Sequence, residues 1–539
     1  MGVSFFIKGF PAILKVMPKL ARLFLYSTVF LTGAAVLIME VAAIRFLTPY
    51  YGSSLYVLSS VLTVVLFALS LGYYYGGKLS DRFPFVVPLY IIITAGGLFL
   101  LALTLLSTYL LPLSADGFSI MTGPLVFAIL FYFAPAFLLG IDSPYVIKLL
   151  SQNSDTSVSG SVVGATFFWS TAGSITGSLL SGFVLIPLLG LRETMILTGV
   201  ILTILGLSGA IGLRVFIKKS NAYDPRNDLN LKPLLLLALI LLSALVYFLV
   251  TTKTSASDLV SKDGYYSHLR VFDGYREDVP TRFLKREVNH SAAIYLNSDK
   301  LVYPYAKFAF FYKELVPEAK TVLHLGGGAY TVPRALYLDN PNLQQDVVEI
   351  EPELYAIAKK YFRLPSTPQI KNHAMDARVF VNRNHSKYDF IFVDVFSSGF
   401  FTPPHLVTKE FFTSLKKSLS VDGVIIMNFI GSRSGTENQT LTGSFTKTVT
   451  AVFPTTKIYT TRLILPELSQ NLMYFMRHDD KEISFSNFIS TQTDTGVEVL
   501  NNLYIDPTSL ISAADVVFED NHSPVELLLL QENLNQKTP

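Results

Sequence analysis

A chain of 539 residues that is half hydrophobic and only 15% charged is apolar for a soluble protein and long enough for two or more domains. Its net charge of +3 is too small to point to nucleic acid, and no basic stripe with interleaved aromatics runs along it. It has no cysteine, which excludes disulfides, thiolate catalysis and cysteine-ligated metal.

The apolar residues crowd into the first half. Runs long enough to cross a bilayer, about 20 residues, recur near Leu23–Ile44, Leu55–Tyr75, Val87–Leu111, Leu125–Ile147, Val162–Leu189, Met195–Ile217 and Pro233–Val250. Residues 1–251 are therefore expected to form a helical transmembrane domain of about seven spans. The first run lacks a small-residue cleavage site, so a cleaved signal is not expected. Gly173, Ser174, Gly177, Ser178, Ser181 and Gly182 give the fifth run a small-residue face suited to close helix packing, which predicts it at the centre of the bundle. Glu40 sits inside the first run, with Arg45 as its expected structural partner. Asp142, near a span end and Pro144, is expected to cap or kink its helix.

Lys and Arg alternate between loops. The tail carries Lys8, Lys15, Lys19 and Arg22, and the loops on the same side carry Lys78, Arg82, Lys148, Arg214, Lys218, Lys219, Arg226 and Lys232. This bias places the N-terminus in the cytoplasm and, after seven spans, the C-terminal domain outside. The GGKLSDR loop, Gly76–Arg82, resembles part of a motif of major-facilitator transporters.

The polar stretch 252–262 reads as a linker. Strand-like pieces at Tyr266–Phe272, Thr281–Val288 and Ala292–Leu296 predict a small β-domain over 263–310. From 311 to 480 strands and helices alternate, which predicts a parallel sheet with helices on its faces. The expected strands are Thr321–Leu325, Asp346–Glu351, Gln369–His373, Tyr388–Val395 and Gly423–Asn428, with helices that include Pro352–Phe362 and Pro404–Leu419. Residues 481–539 are expected to pack on this domain as an extension.

The organising stretch is Lys320–Pro352. An apolar strand runs straight into Gly326, Gly327 and Gly328, then a helical segment, then a second strand tipped by Glu349. Glycines after a strand turn tightly and let backbone approach a ligand; alone they mark an ordinary turn. An acid at the second strand's tip suits ribose hydroxyls. Ligands of such sheets bind at the carboxyl ends of the strands, which collects the glycines, Glu349, Asp376 and Asp394 at one edge. Asp376 also reads as a helix N-cap.

Several segments, GGGAYTVPR, VVEIEPELYAIAKKYF, MDAR and KYDFIFVDVF, resemble the spermidine synthase family of polyamine aminopropyltransferases, and most closely its membrane-fused bacterial and archaeal relatives. FEDNHSPVEL, Phe518–Leu527, is similar to the tail of those relatives. The resemblance implies a Rossmann domain of the S-adenosylmethionine-dependent methyltransferase type, preceded by a β-domain. It also implies S-adenosylmethionine or its decarboxylated form as donor, and no metal. It assigns Gly326, Gly327, Gly328, Glu349, Asp376 and Ala377 to the donor, with Asp376 on the adenine, and Asp394 to catalysis. Tyr303, Tyr305 and Ser397 stand at substrate positions. There this chain departs from the family: Ala329 and Ser397 replace acids, Tyr303-Pro304-Tyr305 replaces Tyr-His-Glu, and His290 replaces Gln. The nucleotide side is kept and the polyamine side is eroded.

The expected function is thus a membrane-anchored, spermidine synthase-like aminopropyl transferase. Another S-adenosylmethionine-dependent transferase, or an inactive nucleoside sensor on a transporter-like membrane domain, stands beside it. The expected partners are the lipid bilayer and a small-molecule amine, with a homodimer compatible and no nucleic acid. S-adenosyl donors are made in the cytoplasm, which opposes the external placement and leaves the side of the domain open.

Overall fold

The structure, a computed structural model, describes residues 19–51, 54–114, 118, 121–151, 160–219, 258–287, 289–395, 403–433, 438–461, 465–479, 481, 483, 503–529 and 531. The chain divides into two compact units, Met1–Lys253 and Thr254–Pro539.

The first unit is helical. Among the described residues six helices are long and apolar enough to cross a membrane. They comprise α1 (Lys19–Tyr51), α2 (Leu55–Arg82), α3 (Val86–Ser114), a fourth span built from α4 (Thr122–Ala128), α5 (Ala134–Gly140) and α6 (Asp142–Ser151), a fifth of α7 (Gly160–Leu180) and α8 (Ile186–Leu189), and α9 (Leu191–Lys219). The run Pro233–Val250 lies outside the described residues. The fourth and fifth spans each contain one π-helical turn, at Ile129–Phe133 and Ser181–Leu185. Such turns insert a residue into the helical ladder and recur at functional sites.

The fifth span is not the central one. Only 22% of its window is buried, against 61% for the first span. Its glycines make a single seam with α1: a Cβ on Gly173 would lie 1.9 Å from the Phe30 carbonyl oxygen, and one on Gly177 would lie 2.3 Å from that of Ala34. Small residues report close approach of two backbones, not enclosure on all sides. Asp142 also differs from expectation: its carboxylate reaches Thr32 on α1 rather than capping its own helix.

The second unit opens with a four-stranded antiparallel sheet, β1 (Asp258–Asp263), β2 (His268–Arg276), β3 (Val279–Arg286) and β4 (Asn289–Tyr295), paired in chain order. Most of β1 falls inside the stretch expected to be a linker. Its partner strand satisfies the backbone, so a polar sequence with half-exposed residues still pairs.

An eight-stranded sheet follows. Its parallel strands are β5 (Thr321–Leu325), β6 (Gln344–Glu349), β7 (Ile370–Ala374), β8 (Tyr388–Val393) and β9 (Leu419–Gly431). The antiparallel strands β11 (Gln470–Arg477), β10 (Lys457–Thr460) and β12 (Tyr504–Ile505) complete it, in the order β12-β10-β11-β9-β8-β5-β6-β7. β5, β8 and the second half of β9 are buried and read as near-continuous apolar runs, which is why they were legible. The helix expected over Pro404–Leu419 is instead a short 3-10 turn, Pro404–Leu406, and a helix from Lys409. Thr408 sets that start by accepting the Phe411 N–H through its hydroxyl.

Two carboxylates tie segments together. Glu351, fully buried, accepts the backbone N–H groups of Tyr265, Tyr266 and Ser267, clamping the turn between β1 and β2 to the Rossmann domain. Asp520, in FEDNHSPVEL, receives both arms of Arg378 and the Thr408 hydroxyl. These contacts anchor the tail segment on the α/β domain, with partners the sequence did not single out.

Candidate active site

The sheet order reverses at β5, between β6 on one side and β8 on the other. At such a switch point the loops leaving the carboxyl ends part and open a crevice. The loop after β5 is the glycine turn. Gly326 has φ +92° and Gly328 φ +51°, a backbone region costly for other residues. A Cβ on Gly326 would also lie 2.1 Å from the Asp394 carbonyl oxygen, so only glycine lets the two loops meet.

Glu349 holds this turn. Its Oε2 accepts the N–H groups of Gly327 (3.0 Å) and Gly328 (2.8 Å), and its Oε1 accepts that of Glu351 (3.0 Å). Arg286, on β3, brings Nη1 to 3.8 Å from Oε1. A carboxylate has about four lone-pair sites. Three are used by backbone donors, so an incoming hydroxyl pair would share what remains.

Asp394 follows β8, and its N–H donates to Leu325 across the switch point. Its carboxylate accepts from Asn428 Nδ2 at 2.9 Å and from the Tyr305 hydroxyl. Asn428 in turn accepts from Asn471 Nδ2 at 2.9 Å, so the amides on β9 and β11 are oriented in series toward the acid. Burial holds the Asp394 carboxyl above the usual carboxylate range; the Asn428 and Tyr305 hydrogen bonds oppose this, and the charge of Glu349 reinforces it. Tyr305 is itself held well above the usual phenol range, first by burial and then by Asp394. Tyr303 stacks on Tyr305 with ring centroids 6.0 Å apart, and the Arg276 guanidinium lies 5.1 Å from the Tyr303 ring. The Tyr303 hydroxyl is buried with no hydrogen-bond partner among the described residues.

Asp376 stands after β7. Its Oδ1 caps the helix Ala377–Arg383 through Val379 N–H at 3.0 Å, and His405 Nε2 lies 3.1 Å from its Oδ2. Ala377 is buried beside it. The structure thus links Gly326–Gly328, Glu349, Asp394, Tyr305 and Tyr303, and sets Asp376 and Ala377 at the tip of β7, one strand beyond β6. Ser397 lies outside the described residues. Ala329 is buried among Leu269, Leu284 and Ala292 of the β-domain, Leu354 of the helix Glu353–Tyr361 and Phe362 just past its end. An aspartate there would enter an apolar cluster, at a cost in desolvation. His290 is exposed and meets the rings of Phe272 and Phe283 at 5.8 and 5.1 Å.

Asn428, Arg286, Arg276 and His405 were not anticipated. Asn428 had a signal: it is the one polar side chain in VIIMNFI, and a polar residue inside a buried apolar strand needs a partner. The other three had none, because each reaches the site from another element.

Residues 308–487 match the spermine/spermidine synthase domain family. A polyamine aminopropyltransferase of Vibrio vulnificus is 37% identical over 134 residues, 24% of this chain and 44% of that protein. An N-terminal histidine N-methyltransferase of Emericella nidulans is 35% identical over 144 residues, 25% of this chain and 24% of that protein. The chain therefore spans less than half the length of either. Polyamine aminopropyltransferase 2 of Streptomyces coelicolor is 25% identical over 439 residues, 77% of this chain and 74% of that protein. This local match to the spermine/spermidine synthase domain spans the glycine turn, Glu349 and Asp394.

Proposed function

We propose that this protein is a membrane-anchored transferase that takes an S-adenosyl donor and moves its aminopropyl group onto an amine. One observation carries the reading: a buried carboxylate, Asp394, oriented by Asn428 and Tyr305, abuts a glycine turn pinned by Glu349 at the switch point of a Rossmann sheet. The residues fit the donor. Glu349 would take the ribose, Asp376 and Ala377 the adenine end, and the glycine turn the close backbone approach. The donor supplies a sulfonium, whose carbon–sulfur bond is activated toward a nucleophile.

The chain's own residues supply the rest. An amine must lose a proton to attack, and Asp394, kept above the usual carboxylate range, is suited to receive it. The carbon–nitrogen bond forms as the carbon–sulfur bond breaks, the electron pair stays on sulfur as a neutral thioether, and the proton passes from nitrogen to Asp394. The unpartnered Tyr303 hydroxyl offers the amine an acceptor. The six apolar helices supply the membrane anchor.

Methyl transfer is the second reading. Ala329 lies in an apolar cluster where polyamine synthases carry an acid, which weakens the case for a polycationic substrate. The similarity to a histidine N-methyltransferase supports the same alternative. Mass spectrometry of products from the full-length protein in nanodiscs, given each donor and a panel of amines, tests both. A product heavier by an aminopropyl group supports the first, one heavier by a methyl group supports the second, and no modified amine with either donor contradicts both.

A further inference from the structure

We propose that Asp142 is an exchangeable proton site inside the membrane unit. Asp142 opens α6, within the fourth span, and is 2% exposed. Its Oδ2 lies 2.5 Å from Thr32 Oγ1 on α1, 110 residues away in sequence. Its Oδ1 is buried with no hydrogen-bond partner, and among the described residues no Lys, Arg or His pairs with it. An ionised carboxylate in this position would leave one oxygen bare in a medium that solvates charge poorly. A protonated one would not.

The Thr32 hydroxyl can donate to Asp142 Oδ2 or accept the proton of the acid, so the contact serves both protonation states. Thr32 Oγ1 faces three oxygens: Asp142 Oδ2, the Thr28 carbonyl at 3.0 Å and the Val29 carbonyl at 3.3 Å. A hydroxyl has one proton to give. When it goes to the Thr28 carbonyl, the short contact to Asp142 needs a proton from the acid. Loss of that proton requires another donor, or water, to reach Oδ1, and so a change in the packing of α6 against α1.

The surroundings favour a ligand as small as a proton. A Cβ on Gly76 of α2 would lie 2.8 Å from the Ile141 backbone, and one on Gly72 would lie 2.5 Å from the Phe137 carbonyl oxygen. The backbones beside Asp142 are therefore in contact, and a polyamine would have to part them. The fourth span also carries the π-helical turn at Ile129–Phe133, a place where a helix can shift register.

The groups that face Asp142 electrostatically are the hydroxyls of Tyr73 on α2 and Tyr90 on α3, the latter 3.0 Å from Thr28 Oγ1. On α1, Glu40 and Arg45 lie two or more turns beyond Thr32, roughly 12 Å or more. On α2, Lys78 sits over the Tyr74 ring, and Asp81 is paired at 2.6 Å with Lys148 of α6 itself. Neither α5 nor α7 carries an ionisable side chain. Asp142 is thus the acid at the contact of α1, α2 and α6, without a fixed counter-charge.

Infrared spectroscopy of the full-length protein in lipid nanodiscs, titrated from acid to alkaline pH, reads the site directly. The expected result is a protonated-carboxyl carbonyl band that disappears reversibly as pH rises, is absent in Asp142→Asn and persists in Glu40→Gln. Thr32→Val, which removes the hydroxyl and keeps the shape, should shift the band; this provides the assignment should Asp142→Asn not fold. A band assigned to Asp142 that persists at every pH would make it a permanent structural acid and overturn the proposal. So would a band absent at every pH, or one that Thr32→Val leaves in place.

Discussion

Asn428 donates through Nδ2 to Asp394 Oδ1 at 2.9 Å, and this bond exists only because β9 lies beside β8 in the sheet. It stabilises the ionised acid, opposing the burial that favours the neutral one. Asn428→Leu keeps the volume and removes the donor. The acidic limb of the turnover profile should then move to higher pH. Turnover near neutrality should fall by roughly 10- to 100-fold, the worth of a hydrogen bond to a charged group of about 1.5–3 kcal/mol. A pH–rate profile with an unmoved limb would detach Asn428 from the acid.

Glu349 is both a ligand candidate and the acceptor that shapes the glycine turn. Glu349→Gln keeps the shape but loses the charge and one acceptor oxygen. Donor binding should weaken by about 1.5–3 kcal/mol. Calorimetry on the full-length protein with S-adenosylmethionine, its decarboxylated form and methylthioadenosine measures this. Equal affinity in the variant for all three would remove Glu349 from the donor site.

His324 lies fully buried in β5, with Nε2 on Gln345 at 2.8 Å. Burial lowers its pKa from 6.5 to about 4. Between those values the unfolded chain binds the proton and the folded one does not, so folding loses stability as pH falls. The loss begins near pH 6.5 and is complete near 4, reaching about 3 kcal/mol. Hydrogen exchange of the β5 amides in the full-length protein, followed from pH 7 to 4, should show falling protection, and His324→Asn should flatten that trend.

The strand, glycine turn, helix and acid around Lys320–Pro352 were legible because they are contiguous in the chain, and each has a local physical signature. Asp394 was legible as the end of an apolar strand. Tyr305 meeting Asp394, Arg286 meeting Glu349 and Asp142 meeting Thr32 were not, because those contacts join distant elements whose approach no local pattern fixes. The small-residue face of the fifth span was read correctly as a close-packing surface, but a seam with one neighbour and a central position leave the same mark in sequence. In β1, polar composition concealed a strand whose stability comes from pairing with β2.

The side of the membrane is tested by one residue. Val421 is 73% exposed, and the native chain has no cysteine. The loop charges predict that Val421→Cys reacts with a membrane-impermeant maleimide in intact cells. That outcome would require the donor to be supplied outside the cytoplasm. Labelling only after lysis would mean that one apolar run does not span, and would put the domain where S-adenosyl donors are made.

The most direct test of the transferase mechanism is single-turnover thioether release from donor and amine, compared between the wild-type protein and Asp394→Asn in nanodiscs. The variant keeps the shape and removes the base. The variant's rate should be lower by roughly 10²–10⁴, the usual contribution of general base catalysis. Equal rates in the two proteins would contradict that mechanism.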